Sequence, residues 1–553
     1  MLVIYNRMKF YIKPLLVITA VNIFILLFFG AYFEEYEGIF SSFIQGTYSI
    51  PYDGGWDANL NYLLLYIYEQ LVYFFPTYNV YGLILTVYNW FIWSLFGLVL
   101  YRILKINLKL SINWTLFILF YIIICIDNFI HLNSTRESII LISTIFGYIE
   151  SRRMEENSIK RYEWCCISIL ILFASLIRFE TVLIFSIIYI AILFIYNKFT
   201  KSALIAVAIS GVIFVIYNIT VALYEKEEVK VMMYKEKDIY RNNIDYTKLD
   251  KTQLLNVNAM ILYGITDKEH FTSSFYDSIS KIKSKNGFLT YLNGFRQEFV
   301  ISLLHSSYRE SKSGIGYVLF YFVTTFLLIF KKNLHRKKFI ILTLMLLLIP
   351  ICLTIFSVVP SRFLVPYLSV ACCINIVFYL KYYRWNNKLL FIYSVCFLLI
   401  LYNVFKEKDK YIVLNNRYKK ISNKLSLLNK NQEIKKPIII NNFYSKEFFP
   451  KTPFEKSIKQ NALFLNLYFY IAWDFQQKSW RNVCNCSSLS LKDKLDYVTQ
   501  NQNLFLIDDV SFEFINKYMN EKYNVKIIKS DIENFDGDVN VCKLRYELNH
   551  NLK

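Results

Sequence analysis

Glycine and proline are scarce in this 553-residue chain, 15 and 9 residues respectively, which excludes a collagen-like or low-complexity polymer. Charge is also thin. Only 19% of residues are Asp, Glu, Lys or Arg, whereas apolar residues reach 55% and aromatics 18%. Such a chain is neither disordered nor built like an ordinary soluble enzyme. No CxxC pair and no His/Cys group of zinc spacing occurs. GxSxG, HExxH and P-loop motifs are missing, and so is any tandem repeat. Of the ten cysteines, seven lie in or beside apolar runs, where the thiol acts as a small hydrophobe. Cys484, Cys486 and Cys542 lie in the polar C-terminal region and allow one disulfide with one thiol left over.

What is present is a series of long apolar runs separated by short basic clusters, with a mean hydropathy of +0.34. A helix needs about 20 apolar residues to cross a bilayer. Eleven segments approach this: 13–32, 80–101, 113–130, 137–150, 164–177, 181–197, 202–223, 314–330, 339–358, 363–380 and 389–405. The run 164–197 is too long for one span and carries Arg178-Phe179-Glu180 in its middle, so it reads as two helices joined at a membrane surface. No small-residue cleavage site follows the first run, which is expected to be retained as a span.

The formal net charge is +20, and its placement decides what it means. Arg7/Lys9/Lys13, Arg102/Lys105/Lys109, Arg152/Arg153/Lys160/Arg161, Lys198/Lys201, Lys331 to Lys338 and Lys381/Arg384/Lys388 occupy every second connection. The positive-inside rule places all of these in the cytoplasm, and the N-terminus with them. The opposite face receives 33–79, 131–136, 178–180, 224–313, 359–362 and the tail 406–553. This pattern points to a cell membrane, not to nucleic acid. The expected fold is mainly α, a polytopic membrane protein of about 11 transmembrane helices, with outer-face amphipathic helices and a small C-terminal α/β domain.

Three domains follow: a transmembrane domain over 1–405, a basic tether over 406–436 and an extracytoplasmic α/β domain over 437–553. Strand-like runs at 437–440, 504–507 and 525–528 flank a helix-like 512–523, a βαβ rhythm. Residues 56–75 read as one or two helices on the membrane surface, and 224–313 as a helical insert.

Candidate functional residues concentrate on the outer face, where loops sit on a rigid scaffold. Glu34 and Glu35 end the first span, and Asp53 and Asp57 follow in the same loop. The turn 125–137 gathers Asp127, His131, Arg136 and Glu137, with Ser134 or Thr135 as the expected cap of the next helix. His131 alone reads most simply as an interfacial polar ring. Arg178 and Glu180 mark the helix break, and Arg362 stands at the mouth of a late span. Each arginine by itself suits snorkelling to lipid headgroups. Three of them at three helix mouths also suit a phosphate, which guanidinium grips with paired hydrogen bonds.

The order Glu34-Glu35, the surface segment 56–75, the break Ser175-Leu-Ile-Arg178-Phe-Glu180 and the late Arg362-Phe-Leu-Val-Pro366-Tyr367 resembles the GT-C superfamily of membrane glycosyltransferases. Within it, the protein O-mannosyltransferase and aminoarabinose-transferase type is the nearest in pattern. The resemblance covers residues 1–405 by architecture and short pieces by motif. In that family the first-loop acid is usually aspartate, and here it is glutamate. The pattern is also similar to membrane proteins of bacterial surface-polysaccharide clusters.

The resemblance implies a polyprenyl-phosphate-linked sugar donor, a glycan or lipid-linked acceptor, and transfer on the outer face in cell-envelope glycan assembly. Glu34 or Glu35 would be the base, with Asp53 and Asp57 in reserve. Arg178 and Arg362, then Arg136, would hold the phosphate, with His131 and Glu180 beside the substrate. No metal is required by these residues, and no cofactor is expected. A polysaccharide polymerase of the O-antigen or capsule type is the alternative, since loop 224–313 carries Arg241, Arg296 and Arg309. A lipid-linked glycan flippase or another transporter is the further one. A transporter would usually show matching halves or charges deep within spans, and the sequence shows neither.

Overall fold

Helices dominate the computed structural model. It describes residues 2–34, 37–45, 62–108, 114–196, 200–224, 248–263, 267, 269–282, 317, 319, 321–323, 325–326, 337–346, 361–382, 387–431, 436–441, 448–456, 460–465, 480, 483, 490–537 and 539–547. The chain divides into two units. One comprises Met1–Glu37, Gly82–Tyr224 and Phe288–Ile412, and the other Gly38–Tyr81, Glu225–Gly287 and Val413–Lys553.

In the first unit, helices Leu2–Phe29, Val80–Leu108, Trp114–Ile130, Ser134–Met154, Arg161–Tyr196, Lys201–Tyr224 and Ser361–Tyr382 share one core. Gly97 permits a close approach there: a Cβ on it would stand 2.8 Å from Ile18 Cδ1 and 2.9 Å from Tyr121 Cε2. Polar side chains pair between helices. Tyr121 donates to Asn22 Oδ1 at 2.7 Å, and Asn128 Nδ2 donates to Ser369 Oγ at 2.9 Å. Many large apolar side chains face outward instead, among them Leu16, Leu27, Val87, Phe194 and Leu398.

Two described helical segments are long and apolar enough to cross a membrane, Ile12–Phe29 and Val80–Ile106. Phe117–Ile130, Glu180–Ile195, Lys201–Ile216 and Phe363–Asn375 are apolar but shorter. The structure therefore supports two of the eleven expected spans by length and composition. In Ser134–Met154, Arg136, Glu137, Glu150, Arg152 and Arg153 leave only a brief apolar middle. Most of 314–330 and 339–358 lies outside the described residues. The helix break falls where the sequence placed it: Arg178 has non-helical φ −159° and ψ 88° within Arg161–Tyr196.

Two short strands of the first unit, β1 (Tyr32–Phe33) and β2 (His131–Leu132), pair with each other, and the second unit is built on a five-stranded sheet. The strands are β3 (Ile438–Asn441), β4 (Ala462–Phe464), β5 (Phe505–Asp508), β6 (Lys526–Asp536) and β7 (Val539–Glu547). β3 pairs in parallel with β4 and β5, while β7 runs antiparallel between β5 and β6. Helix Leu491–Gln500 begins at a capping box of Ser490 and Asp493. Helix Asp509–Tyr523 is capped by Asp508 and ends at Asn524 in the left-handed region.

Two expectations change in this unit. The basic tether is no loose linker, because helix Asn387–Asn431 runs through it. Neither Gly nor Pro interrupts that stretch, and buried Tyr418, Ile421, Ser422 and Leu425 recur at helical spacing. Nor does 437–553 form its core alone. Helices Lys251–Tyr263 and Ser273–Lys281 of the central insert bury Leu255, Met260 and Phe275 together with Ile439, Phe505 and Tyr518. Asp267 accepts hydrogen bonds from Tyr523 at 2.7 Å and Tyr518 at 3.1 Å. Cys542 is a buried free thiol, pushed up to about 11 by its burial. Cys484 and Cys486 lie outside the described residues.

Candidate functional site

The first long apolar helix stops at Gly30, whose φ of +80° suits a residue without a Cβ. The chain turns there and enters β1 (Tyr32–Phe33), which pairs in parallel with β2 (His131–Leu132). Tyr32 stands opposite His131 and Phe33 opposite Leu132. The Glu34 N–H extends the ladder, donating to Leu132 O at 3.1 Å. This small junction carries the first-loop acid to the turn that holds the Asp127–Glu137 group.

Arg136 is the centre of the junction and is 1% exposed. Its Nε donates to Glu34 Oε2 at 2.6 Å and its Nη2 to Glu34 Oε1 at 2.7 Å. Its Nη1 donates to Asp127 Oδ2 and Asn128 Oδ1, both at 2.9 Å. Four of the five guanidinium N–H bonds are thus engaged within the protein. Burial opposes the charged form of Arg136, but Glu34 and Asp127 outweigh it and push its pKa up. The phosphate role expected of Arg136 gives way to that of a buried anchor for carboxylates.

His131 is equally buried. Its Nδ1 lies 2.8 Å from the Asp127 carbonyl, one helical turn back, and Asp127 Oδ1 is 3.3 Å away. On the other side of the ring, Nε2 faces Glu407 Oε2 at 3.0 Å. Burial works against the imidazolium, yet Asp127 and Glu407 together raise it to about 10. His131 is therefore no interfacial ring but part of a charged interior.

Helix Ser134–Met154 starts at Asn133, whose side chain accepts from Thr135 N at 2.9 Å. Ser134 and Thr135 were the expected caps. Ser134 instead donates both N–H and Oγ–H to Glu37 Oε1, each at 3.0 Å, so a carboxylate 97 residues away neutralises the helix start. Glu137 is 2% exposed, and neither of its carboxylate oxygens has a hydrogen-bond partner. Next to it, Ser138 Oγ lies 3.0 Å from Ala174 O, 3.3 Å from Arg178 O and 2.5 Å from Thr181 Oγ1. The break at residue 178 is thus held against the same helix mouth as Glu34.

Of the residues named from sequence, Glu34, His131 and Arg136 come together, and the backbone of Arg178 joins them. The Arg178 side chain is half-buried and Glu180 is exposed. Glu35, Asp53, Asp57 and the side chain of Arg362 lie outside the described residues. Glu37 and Glu407 were missed as site residues. Glu407 looks like a solvated acid inside the basic run Lys406-Glu-Lys-Asp-Lys410, and no local signal marks it as buried. A separate cavity of about 240 Å³ between helices of the first unit is lined mostly by apolar groups, including Phe96, Leu100, Phe146 and Ile188, with Glu150 and Arg153 at its edge.

The chain matches no protein-family model, no curated protein and no solved structure.

Proposed function

We propose that this chain is a multi-pass membrane glycosyltransferase. It moves a sugar from a polyprenyl-phosphate-linked donor to an acceptor hydroxyl on the outer face, in surface-glycan assembly. The supporting observation is the buried junction of Glu34, Arg136 and Glu137 with the backbone of Arg178, three places far apart in sequence, which the charge pattern assigns to the face opposite the basic connections. Outward-facing Leu, Phe and Val around a core with polar helix–helix pairs agree with a lipid surrounding. Most of the three long segments assigned to the outer face falls in one unit, Gly38–Tyr81, Glu225–Gly287 and Val413–Lys553, which agrees with a common side for them. In it, the exposed rings of Tyr66, Tyr73 and Phe74 suit a helix lying on a membrane surface.

In the reaction a carboxylate takes the acceptor proton as the acceptor oxygen bonds to the anomeric carbon. The bond from that carbon to the phosphate oxygen breaks, and polyprenyl phosphate leaves with the electron pair. Glu34 is held by Arg136 through both oxygens. Glu137 has both oxygens without hydrogen bonds, so it is the group better placed to accept a proton. Arg178 and Arg362 stabilise the leaving phosphate. The apolar cavity beside Phe146 and Ile188 offers room for part of a prenyl chain.

Purified full-length protein in lipid vesicles, given polyprenyl-phosphate hexose or pentose donors and membrane glycan acceptors, should release polyprenyl phosphate. Absence of release with every donor would remove the transferase reading. Lys517 is exposed, and a Lys517→Cys label should react from outside the cell. Labelling only from the cytoplasm would reverse the topology.

A further inference from the structure

Three ligand-type side chains from two distant parts of the chain meet where the end of helix Trp114–Ile130 and the following His131 face helix Asn387–Asn431. Oxygen or nitrogen atoms of Asp127, His131 and Glu407 lie within 4.8 Å of one another, and all three residues are buried. The imidazole is oriented by the end of the helix before it, Trp114–Ile130. Nδ1 stands 2.8 Å from the Asp127 carbonyl, an acceptor, so this nitrogen carries the proton. The same arrangement, one ring N–H on a backbone carbonyl, fixes the tautomer of metal-binding histidines and leaves the other nitrogen as the ligand.

That other nitrogen, Nε2, is buried and has no hydrogen-bond partner. Glu407 Oε2 lies 3.0 Å away, near enough for an ion pair but outside hydrogen-bond alignment. A cation belongs between or beside two such groups: a proton on Nε2 makes an imidazolium ion pair, and a divalent cation that displaces it takes both groups as ligands. Ligands about 2.0–2.2 Å from one ion stand roughly 2.8–3.1 Å apart at adjacent octahedral sites and roughly 3.3–3.6 Å apart in a tetrahedron, and the Nε2···Oε2 separation of 3.0 Å falls in the first range. Asp127 Oδ1 stands at Nδ1, 3.3 Å away, and its Oδ2 accepts from Arg136, so Asp127 reaches an ion at Nε2 through a bridging water.

We propose that Asp127, His131 and Glu407 form a binding site for one divalent cation of the zinc class. The nitrogen–oxygen donor set suits Zn²⁺ or Co²⁺, whereas Mg²⁺ and Ca²⁺ prefer oxygen alone. Two direct protein ligands leave coordination positions for water, one of which links Asp127. The site ties the end of helix Trp114–Ile130 to helix Asn387–Asn431 within the first unit. The proposal goes beyond the transferase reading and does not depend on it.

The test is metal binding by the full-length protein in detergent, dialysed against a chelator and titrated with Zn²⁺ and with Co²⁺. One equivalent of Zn²⁺ should bind and raise the melting temperature. Co²⁺ should produce visible absorption bands that Zn²⁺ abolishes. His131→Gln and Glu407→Gln should each lose that equivalent, with at least a tenfold weaker affinity. Asp127→Asn should weaken it less. Should a variant fail to fold, the Co²⁺ spectrum of the unaltered protein still decides, because a nitrogen–oxygen site and a thiolate site absorb differently. No stoichiometric binding, a thiolate spectrum, or equal binding by folded His131→Gln would overturn the site and leave an imidazolium ion pair only.

Discussion

Glu34 and Arg136, 102 residues apart, are joined by two parallel hydrogen bonds of 2.6 and 2.7 Å in a buried junction. Removing one partner of a buried ion pair strands the other charge, at a cost of about 3–5 kcal/mol. Arg136→Gln and Glu34→Gln should each lower stability by that order in thermal unfolding of the detergent-solubilised protein. The double change Glu34→Gln with Arg136→Met should recover part of the loss. Equal stability of the single variants and the native chain would show that the pair is not a structural anchor.

Glu137 should behave in the opposite way. Its carboxylate oxygens make no hydrogen bonds, so Glu137→Gln should leave the melting temperature almost unchanged. If it is the base, polyprenyl phosphate release should fall by about 10²–10⁴. Full turnover in this variant would return the role to Glu34, Glu35, Asp53 or Asp57.

The arginines separate by their tolerance of lysine. A residue that only snorkels to headgroups accepts any cation, whereas a paired phosphate contact needs the planar fork. Arg178→Lys and Arg362→Lys should raise the donor concentration needed for half-maximal transfer, with protein level in the membrane unchanged. Wild-type donor dependence in both would support headgroup anchoring instead.

Asp267 holds the central insert to helix Asp509–Tyr523 through the hydroxyls of Tyr518 and Tyr523. Asp267→Ala leaves both without this acceptor, at a cost of about 1–3 kcal/mol. Amide hydrogen exchange in Lys251–Tyr263 and Ser273–Lys281 should accelerate, and that in β7 should change much less.

Hydrogen bonds from Lys420 and Lys424 hold the Asp536 carboxyl below the usual carboxylate range, against a smaller opposing effect of burial. A carboxylate depressed in the folded state stabilises above its unfolded value, about 3.9. That stability disappears as pH falls through the lower folded value. Asp536→Asn should therefore be less stable than the native chain near neutrality, and the difference should close below about pH 4. A denaturation series across pH 2–7 measures it.

Local pattern determined much of this molecule. Long apolar runs dictated long helices, and the charges at 178–180 dictated a break where Arg178 leaves helical geometry. β-branched and aromatic runs marked β3, β5 and the start of β6, together with the helix before β6. These features are legible because backbone preference and periodicity act over a few neighbouring residues. Short β4 and the charged, alternating β7 carried too weak a local signal; pairing defines them, β4 with β3 and β7 with β5 and β6. Tertiary structure alone decided the partners of the buried charges. Nothing in the sequence around Arg136 shows that Glu34 fills its fork, and Glu407 looks solvated until His131 stands beside it. A buried charge is satisfied by whatever opposite charge packing brings within about 3 Å, and that distance is set by the assembly of helices, not by spacing along the chain.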